Sequence, residues 1–146
     1  MKSVGAVICY KNKYLIQKRN NKKNIYFPNL CGVFGGAANI SEKNSRAILR
    51  EIHEELNIKI NSKQAKFFLK VSINSKHFKK YRSRYYYSIK ISKVQFNSIN
   101  LREGKSLHLV DIKNLKKLNF VPWDLSAILY YDGFIKKNKS VKPRRI

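Results

Sequence analysis

Gly36-Ala37-Ala38-Asn39-Ile40-Ser41-Glu42-Lys43-Asn44-Ser45-Arg46-Ala47-Ile48-Leu49-Arg50-Glu51-Ile52-His53-Glu54-Glu55-Leu56-Asn57-Ile58 is the stretch on which the reading of this chain turns. From Asn44 to Leu56 it contains neither Gly nor Pro, and Ala47, Ile48, Ile52 and Leu56 recur at helical spacing, which predicts an α-helix. The chain has 8 Asp and Glu against 32 Lys and Arg, yet four of those acids, Glu42, Glu51, Glu54 and Glu55, fall in this one segment. Positions 51, 54 and 55 differ by three and four, so their side chains share one helix face within a turn. Like charges this close repel, and Arg50 alone cannot neutralise three carboxylates. One reading is a solvated acidic face, since Glu is a good helix former. The other is a site for a hard divalent cation: Mg²⁺ prefers carboxylate oxygens and keeps positions open for water and for phosphate oxygens. The adjacent Gly35-Gly36 pair favours the second reading, and the chemistry it suggests is attack of water on a phosphoanhydride.

Outward from this segment, a chain of 146 residues that is 43% hydrophobic predicts one folded domain with its own core. Cys9 and Cys31 form neither a disulfide framework nor a metal-ligand spacing, which suggests a reducing compartment. No apolar run approaches the roughly 20 residues of a membrane span. The short apolar stretch near the start is ended by Lys11 and Lys13 with no small-residue cleavage site, so a cytoplasmic location is expected. A net charge of +24 favours polyanionic partners, whether nucleotides or RNA. A solvated lysine coat with no partner explains the same charge.

The remaining chain is read from its punctuation. Residues 3–10 and 14–17, joined by a turn at Lys11-Asn12-Lys13, predict a β-hairpin. Cys31 to Phe34 predicts a short strand that ends at Gly35-Gly36. Phe67 to Ile73 and Tyr85 to Val94 are rich in aromatic and β-branched residues and predict two strands joined by a basic loop. Ser106 to Val110 reads as a further strand, Asp111 to Leu118 as a capped helical turn, and Pro122 to Ile135 as a helix opened by its Pro. The expected organisation is a single domain over 1–135, followed by a basic, loose tail over 136–146.

The spacing Gly36, five residues, Glu42, seven residues, Arg50-Glu51-Ile52-His53-Glu54-Glu55-Leu56-Asn57-Ile58 resembles the Nudix box. Eight of its nine specified positions match; the exception is Asn57, where the family has Gly just past the helix. Asn is the next most tolerant residue of a left-handed backbone. Many relatives also have Glu and Gly at the positions of Asn39 and Ser41, so this loop is less acidic than theirs. Leu101-Arg102-Glu103-Gly104 and Val121-Pro122-Trp123-Asp124 extend the resemblance, more loosely, toward a MutT-like branch.

The resemblance implies an α/β protein of Nudix fold, with a mixed β-sheet sandwiched between helices, that holds Mg²⁺ or Mn²⁺ against a pyrophosphate. It makes Glu51 and Glu55 the principal metal ligands, with Glu54 nearby, the Gly36 carbonyl helping and Arg50 orienting Glu51. Glu42 would pair with Arg50, reach a metal through water, or simply complement the helix dipole. Glu103 would act as general base or complete the metal site. Arg19 is a candidate phosphate contact; Tyr26, Phe27, Tyr85 and Tyr87 are candidates for stacking on a base. His53 holds a variable position of the box, and neither His77 nor His108 has zinc-ligand spacing. The implied activity is hydrolysis of a nucleoside diphosphate linked to another moiety, foremost a nucleoside triphosphate to monophosphate and pyrophosphate, oxidised purine nucleotides included. A 5′-triphosphate or cap on RNA, sugar nucleotides and ADP-ribose are the other substrates it leaves open. A nucleotide- or RNA-binding module without turnover is the non-enzymatic reading, and monomer and homodimer are both compatible.

Overall fold

The structure is a computed structural model that describes residues 1–74, 76 and 81–138. Strand β1 (Lys2–Tyr10) turns at Lys11 and Asn12, both at positive φ (47° and 61°), into the antiparallel strand β2 (Lys13–Lys18). Two consecutive left-handed residues match the twist of a hairpin. β1 also runs parallel to β5 (Arg82–Lys90), which pairs antiparallel with β4 (Ala65–Ile73). Strand β3 (Cys31–Gly32) and strand β6 (Ser106–Val110) both pair with β2, giving one mixed six-stranded sheet.

β1 is apolar on both sides because both faces are covered, as a central strand requires. Val4, Ala6 and Ile8 pack with Ala47, Ile48, Ile52 and Leu56 of helix α1 (Asn44–Leu56) on one face. Val7 and Cys9 pack on the other, against Ala127, Ile128 and Tyr131 at and beyond helix α4 (Pro122–Tyr130). The expected sandwich of helix, mixed sheet and helix is therefore the architecture observed. Past β3 the chain stays beside β1: Ala6 N–H donates to Phe34 O and Val4 N–H to Gly36 O, each at 2.8 Å. At Gly35 φ is +133°, and a Cβ there would stand 2.2 Å from the Val4 carbonyl oxygen, so only glycine fits. This corner delivers the chain to α1.

The strand predicted over Tyr85 to Val94 ends earlier, at Lys90, and a short helix α2 (Lys93–Asn97) follows. Its start is a capping box: Ser92 Oγ accepts from Gln95 N–H while the Gln95 side chain accepts from Ser92 N–H. The turn after β6 is helix α3 (Ile112–Leu115), capped by Asp111 as expected. α4 opens with Pro122 and continues through a π-helical turn, Tyr131–Ile135, into Lys136–Asn138. Residues 139–146 of the basic tail, and residues 77–80 of the basic loop over 76–84, His77 among them, lie outside the described residues. Among the described residues no helix is long and apolar enough to cross a membrane.

α4 is pinned to the sheet by one acid. Asp124 is 2% exposed; its carboxylate accepts from Val33 N–H (3.0 Å), Tyr86 Oη (2.7 Å) and Arg84 Nε (3.2 Å). Removing it leaves the Arg84 guanidinium buried without its counter-charge. Asp124→Ala is therefore expected to lower unfolding free energy by about 3–5 kcal/mol in urea titrations, and Arg84→Met in the same chain to recover part of the loss.

Candidate active site

Helix α1 ends where its backbone turns left-handed at Asn57 (φ 55°, ψ 31°), whose N–H donates to His53 O at 2.9 Å. Asn thus takes the conformation for which the Nudix pattern has Gly. With Ala47, Ile48, Ile52 and Leu56 facing the sheet, Glu55 is carried to the core boundary, Glu51 lies half-buried beside it, and Glu54 faces solvent. Glu55 is 5% exposed; one carboxylate oxygen accepts from Gly35 N–H at 2.7 Å and the other from Gln17 Nε2 at 3.3 Å. Burial pushes the Glu55 carboxyl up to about 8, and the nearby negative charges of Glu51 and Glu103 add to the rise. Burial raises Glu51 as well, against the pull of Arg50.

Glu51 lies against Gly36 so closely that a Cβ on that glycine would stand 2.5 Å from a Glu51 carboxylate oxygen. The glycine is the cradle for the carboxylate. Its carbonyl accepts from Val4 N–H, which leaves one lone pair for another partner. Arg50 is the hub of the acidic face: its guanidinium grips Glu42 with two bonds of 2.9 Å, and reaches Glu51 at 2.8 Å, Glu54 at 3.0 Å and the Ala37 carbonyl at 3.0 Å. The Glu51 bond is the contact through which Arg50 would orient that carboxylate. Glu42 takes the Arg50 partner among the roles expected of it; that contact and Asn39 N–H hold its carboxyl down at about 2.

The loop after α2 is docked on the last turn of α1. Asn100 N–H donates to Leu56 O (2.9 Å) and Arg102 N–H to Glu55 O (2.8 Å), satisfying carbonyls that a helix end leaves open. Gly104, at φ +91°, lies so close to Gln17 that a Cβ would meet its Oε1 at 2.7 Å, and Lys105 N–H donates to Lys18 O. Glu103 consequently lines a cleft of about 420 Å³ with Glu55, Gln17 and the cations Arg19, Lys22 and Arg102.

A second cleft, of about 160 Å³, lies across the Gly35-Gly36 corner and is lined by Tyr26, Phe27, Trp123, Arg82 and Arg84. Arg19 lines both clefts; its Nε donates to Tyr26 O at 3.0 Å. Phe27 meets Trp123 edge to face at 5.0 Å, and Arg82 sits over the Tyr26 ring at 4.8 Å. Tyr26 and Phe27 therefore line a cleft beside the acidic site. Tyr85 and Tyr87 line neither cleft: Tyr87 is buried in the α1-side core, and Tyr85 packs against that core with Phe67 and Lys70. Strand alternation puts them both on the face that α1 covers, apart from these two clefts. Arg102, Trp123 and Asp124 enter the sequence reading only through the looser resemblance, with no role attached, and Gln17 does not enter it; the polar Gln17 closing an apolar strand and the acid in an apolar helix are the signals that point to them.

Among the described residues no three His, Cys, Asp or Glu side chains are gathered into a ready chelate. The donors nevertheless fit a hard cation. Glu55 and Glu51 are both held against ionisation by burial, no Lys or Arg among the described residues reaches Glu55 within salt-bridge distance, and every nearby ligand atom is oxygen.

No family model matches the chain, and no curated protein matches it. Solved structures do. The fold is similar to a MutT NUDIX hydrolase from Burkholderia pseudomallei, with a TM-score of 0.74, 21% identity, and coverage of 87% of this chain and 94% of that one. It is similar to the MutT protein of Methanosarcina mazei Go1 (0.73; 17%; 95% of each chain) and to the dihydroneopterin triphosphate pyrophosphohydrolase of E. coli (0.68; 16%; 93% of this chain, 95% of that one). The chain has the Nudix fold. On it, the box residues stand where its helix and glycine corner bring them together.

Glu55 ties the site to stability. Below pH 4.5 its carboxyl is protonated in both folded and unfolded chains; between 4.5 and about 8 the unfolded chain releases the proton and the folded one keeps it. Stability is therefore expected to fall as pH rises through that window. Urea midpoints measured in chelator from pH 5 to 8 should decline for the natural chain and decline less for Glu55→Gln.

Proposed function

We propose that this chain hydrolyses a phosphoanhydride in a nucleoside diphosphate linked to another moiety, foremost a nucleoside triphosphate cut to monophosphate and pyrophosphate. The observation that carries the reading is the Glu51–Glu55 pair held against Gly35-Gly36, where a charged cleft meets an aromatic one. Oxidised purine nucleotides, sugar nucleotides and ADP-ribose belong to the same chemical class. Mg²⁺ or Mn²⁺, held by Glu51 and Glu55 with Glu54 and the Gly36 carbonyl in reserve, would neutralise phosphate charge and lower the pKa of water.

The chain's own residues do the rest. Arg19, Lys22 and Arg102 screen the phosphates in the larger cleft, while Tyr26 and Phe27 offer ring faces and edges to the nucleoside in the smaller one. Arg50 fixes Glu51 through a 2.8 Å bond. Glu103 takes the proton of the attacking water as its oxygen bonds to phosphorus; the anhydride P–O bond breaks and its electron pair leaves on the departing phosphate oxygen.

A second reading, an RNA 5′ end as substrate, is favoured by where the other acids went. Asp111 caps α3, Asp124 is paired with Arg84, and Asp132 accepts from Tyr14 and lies 3.8 Å from Lys136. The rest of the surface is left to Lys and Arg, a field suited to a polyanion longer than a nucleotide.

Release of phosphate or pyrophosphate from nucleoside triphosphates, sugar nucleotides, ADP-ribose and 5′-triphosphorylated RNA, with metal and with chelator, tests both. Metal-dependent turnover of a free nucleotide supports the first reading. Turnover of RNA alone, falling steeply with salt, supports the second, and silence with nucleotide binding retained transfers the assignment to a binding module. Glu51→Gln is expected to lower turnover by more than about 100-fold and Glu103→Gln by about 10²–10⁴-fold, with circular dichroism spectra unchanged.

A further inference from the structure

Asn57 is the one specified box position at which this chain departs from the pattern, and glycine would adopt its backbone conformation with less strain. What glycine lacks is the side chain. Asn57 Oδ1 accepts from Arg102 Nη2 at 2.6 Å, across 45 residues of sequence. Arg102 is the residue whose N–H caps the Glu55 carbonyl and whose neighbour is Glu103. The loop is thus held to α1 along two lines: backbone bonds from Asn100 and Arg102 to the last carbonyls of the helix, and the amide–guanidinium bond outside them. On its far side, Gly104 against Gln17 and Lys105 N–H on Lys18 O tie it to β2.

We propose that Asn57 is a positioning residue: with Arg102 it latches the loop over 100–105 to the end of α1 and so fixes Glu103 opposite Glu55 across the larger cleft. The departure at position 57 is then a gain of a contact and not merely a tolerated substitution. A carboxylate on an exposed loop has to be held within a fraction of an ångström to act on a water beside phosphorus. Backbone bonds to a helix terminus fray easily, because they end on the least protected turn. A charge-assisted side-chain bond at that same turn opposes the fraying.

The inference deepens the hydrolase reading, and its test separates the two. Asn57→Gly keeps the left-handed cap and removes only the side chain, so the thermal midpoint should hold or rise. Hydrogen exchange of the amides over 100–105 should nevertheless accelerate several-fold, and kcat on the substrate found by the panel should fall about tenfold with a smaller change in KM. Asn57→Asp, which keeps the acceptor and tolerates the same backbone, should restore both. In an Arg102→Met background Asn57→Gly should change neither exchange nor kcat further, as partners in one contact require. Exchange over 100–105 that is indifferent to Asn57→Gly, or a loss that Asn57→Asp does not repair, overturns the latch. Exchange needs no substrate: a chain silent on the whole panel whose loop still loosens in Asn57→Gly keeps the latch and loses the hydrolase reading.

Discussion

A carboxyl group buried to 5% exposure with no cation in salt-bridge reach among the described residues is the constraint on which this molecule is arranged. Glu55 would be a liability in an ordinary core, since burying a charge without a partner shifts its pKa until it is neutral. Here two hydrogen-bond donors meet it, one at each oxygen. Gly35 N–H points at one oxygen because the chain turns at a conformation only glycine holds, and that turn is fixed by two ladder bonds to β1. Gln17 reaches the other oxygen from β2, and the 100–105 loop closes the cleft by capping the helix that carries Glu55. Sheet, helix and loop meet at this group.

Arg50 complements that arrangement by removing charge where charge is not needed. It takes up Glu42 through both carboxylate oxygens and shares itself between Glu51 and Glu54, so three of the four box acids are served by one guanidinium and the backbone of Ala37 is tied in as well. Only an arginine has the planar fork to do this; a lysine would reach one partner at a time. The result is an uneven acidic face: Glu42 is held down by Arg50, Glu51 is raised by burial against the pull of Arg50, and Glu55 is held toward the neutral form.

The sequence made the helix, its acidic face and the glycine corner legible because each is a local signal: a 3.6-residue period, a cluster of like charge, a pair of residues without Cβ. The hairpin was legible for the same reason, and Asp111 and Pro122 marked the starts of later helices. The place of Tyr85 and Tyr87 on the α1 side was not legible, because alternation in a strand says which residues share a face and not which face a helix will cover. The strand predicted to run to Val94 ignored Ser92 and Gln95, whose three-residue spacing is itself a helix start. Asp124, Gln17 and Arg102 act through partners 38 to 91 residues away, as the Gln17–Glu55, Arg102–Asn57 and Asp124–Val33 bonds illustrate. Such contacts exist only once the sheet has formed.

The global and local electrostatics of this chain have opposite signs, and distance decides which one a ligand feels. At physiological ionic strength the field of an exposed charge is largely screened beyond about 8 Å. A small cation that reached the box would meet carboxylate oxygens of Glu51 and Glu55 at contact range, each with lone pairs beyond its hydrogen bonds, in a partly buried setting where screening is weak, so the surrounding lysines would oppose it only modestly. A nucleoside triphosphate or an RNA 5′ end spreads its charge over several phosphates and would meet several exposed cations at once. On the proposed reading the excess of +24 would act chiefly on an anionic substrate, drawing it toward the molecule, whereas the five acids of the candidate site, Glu103 included, would govern the last few ångströms. Concentrating the acids in one place keeps these two effects from cancelling.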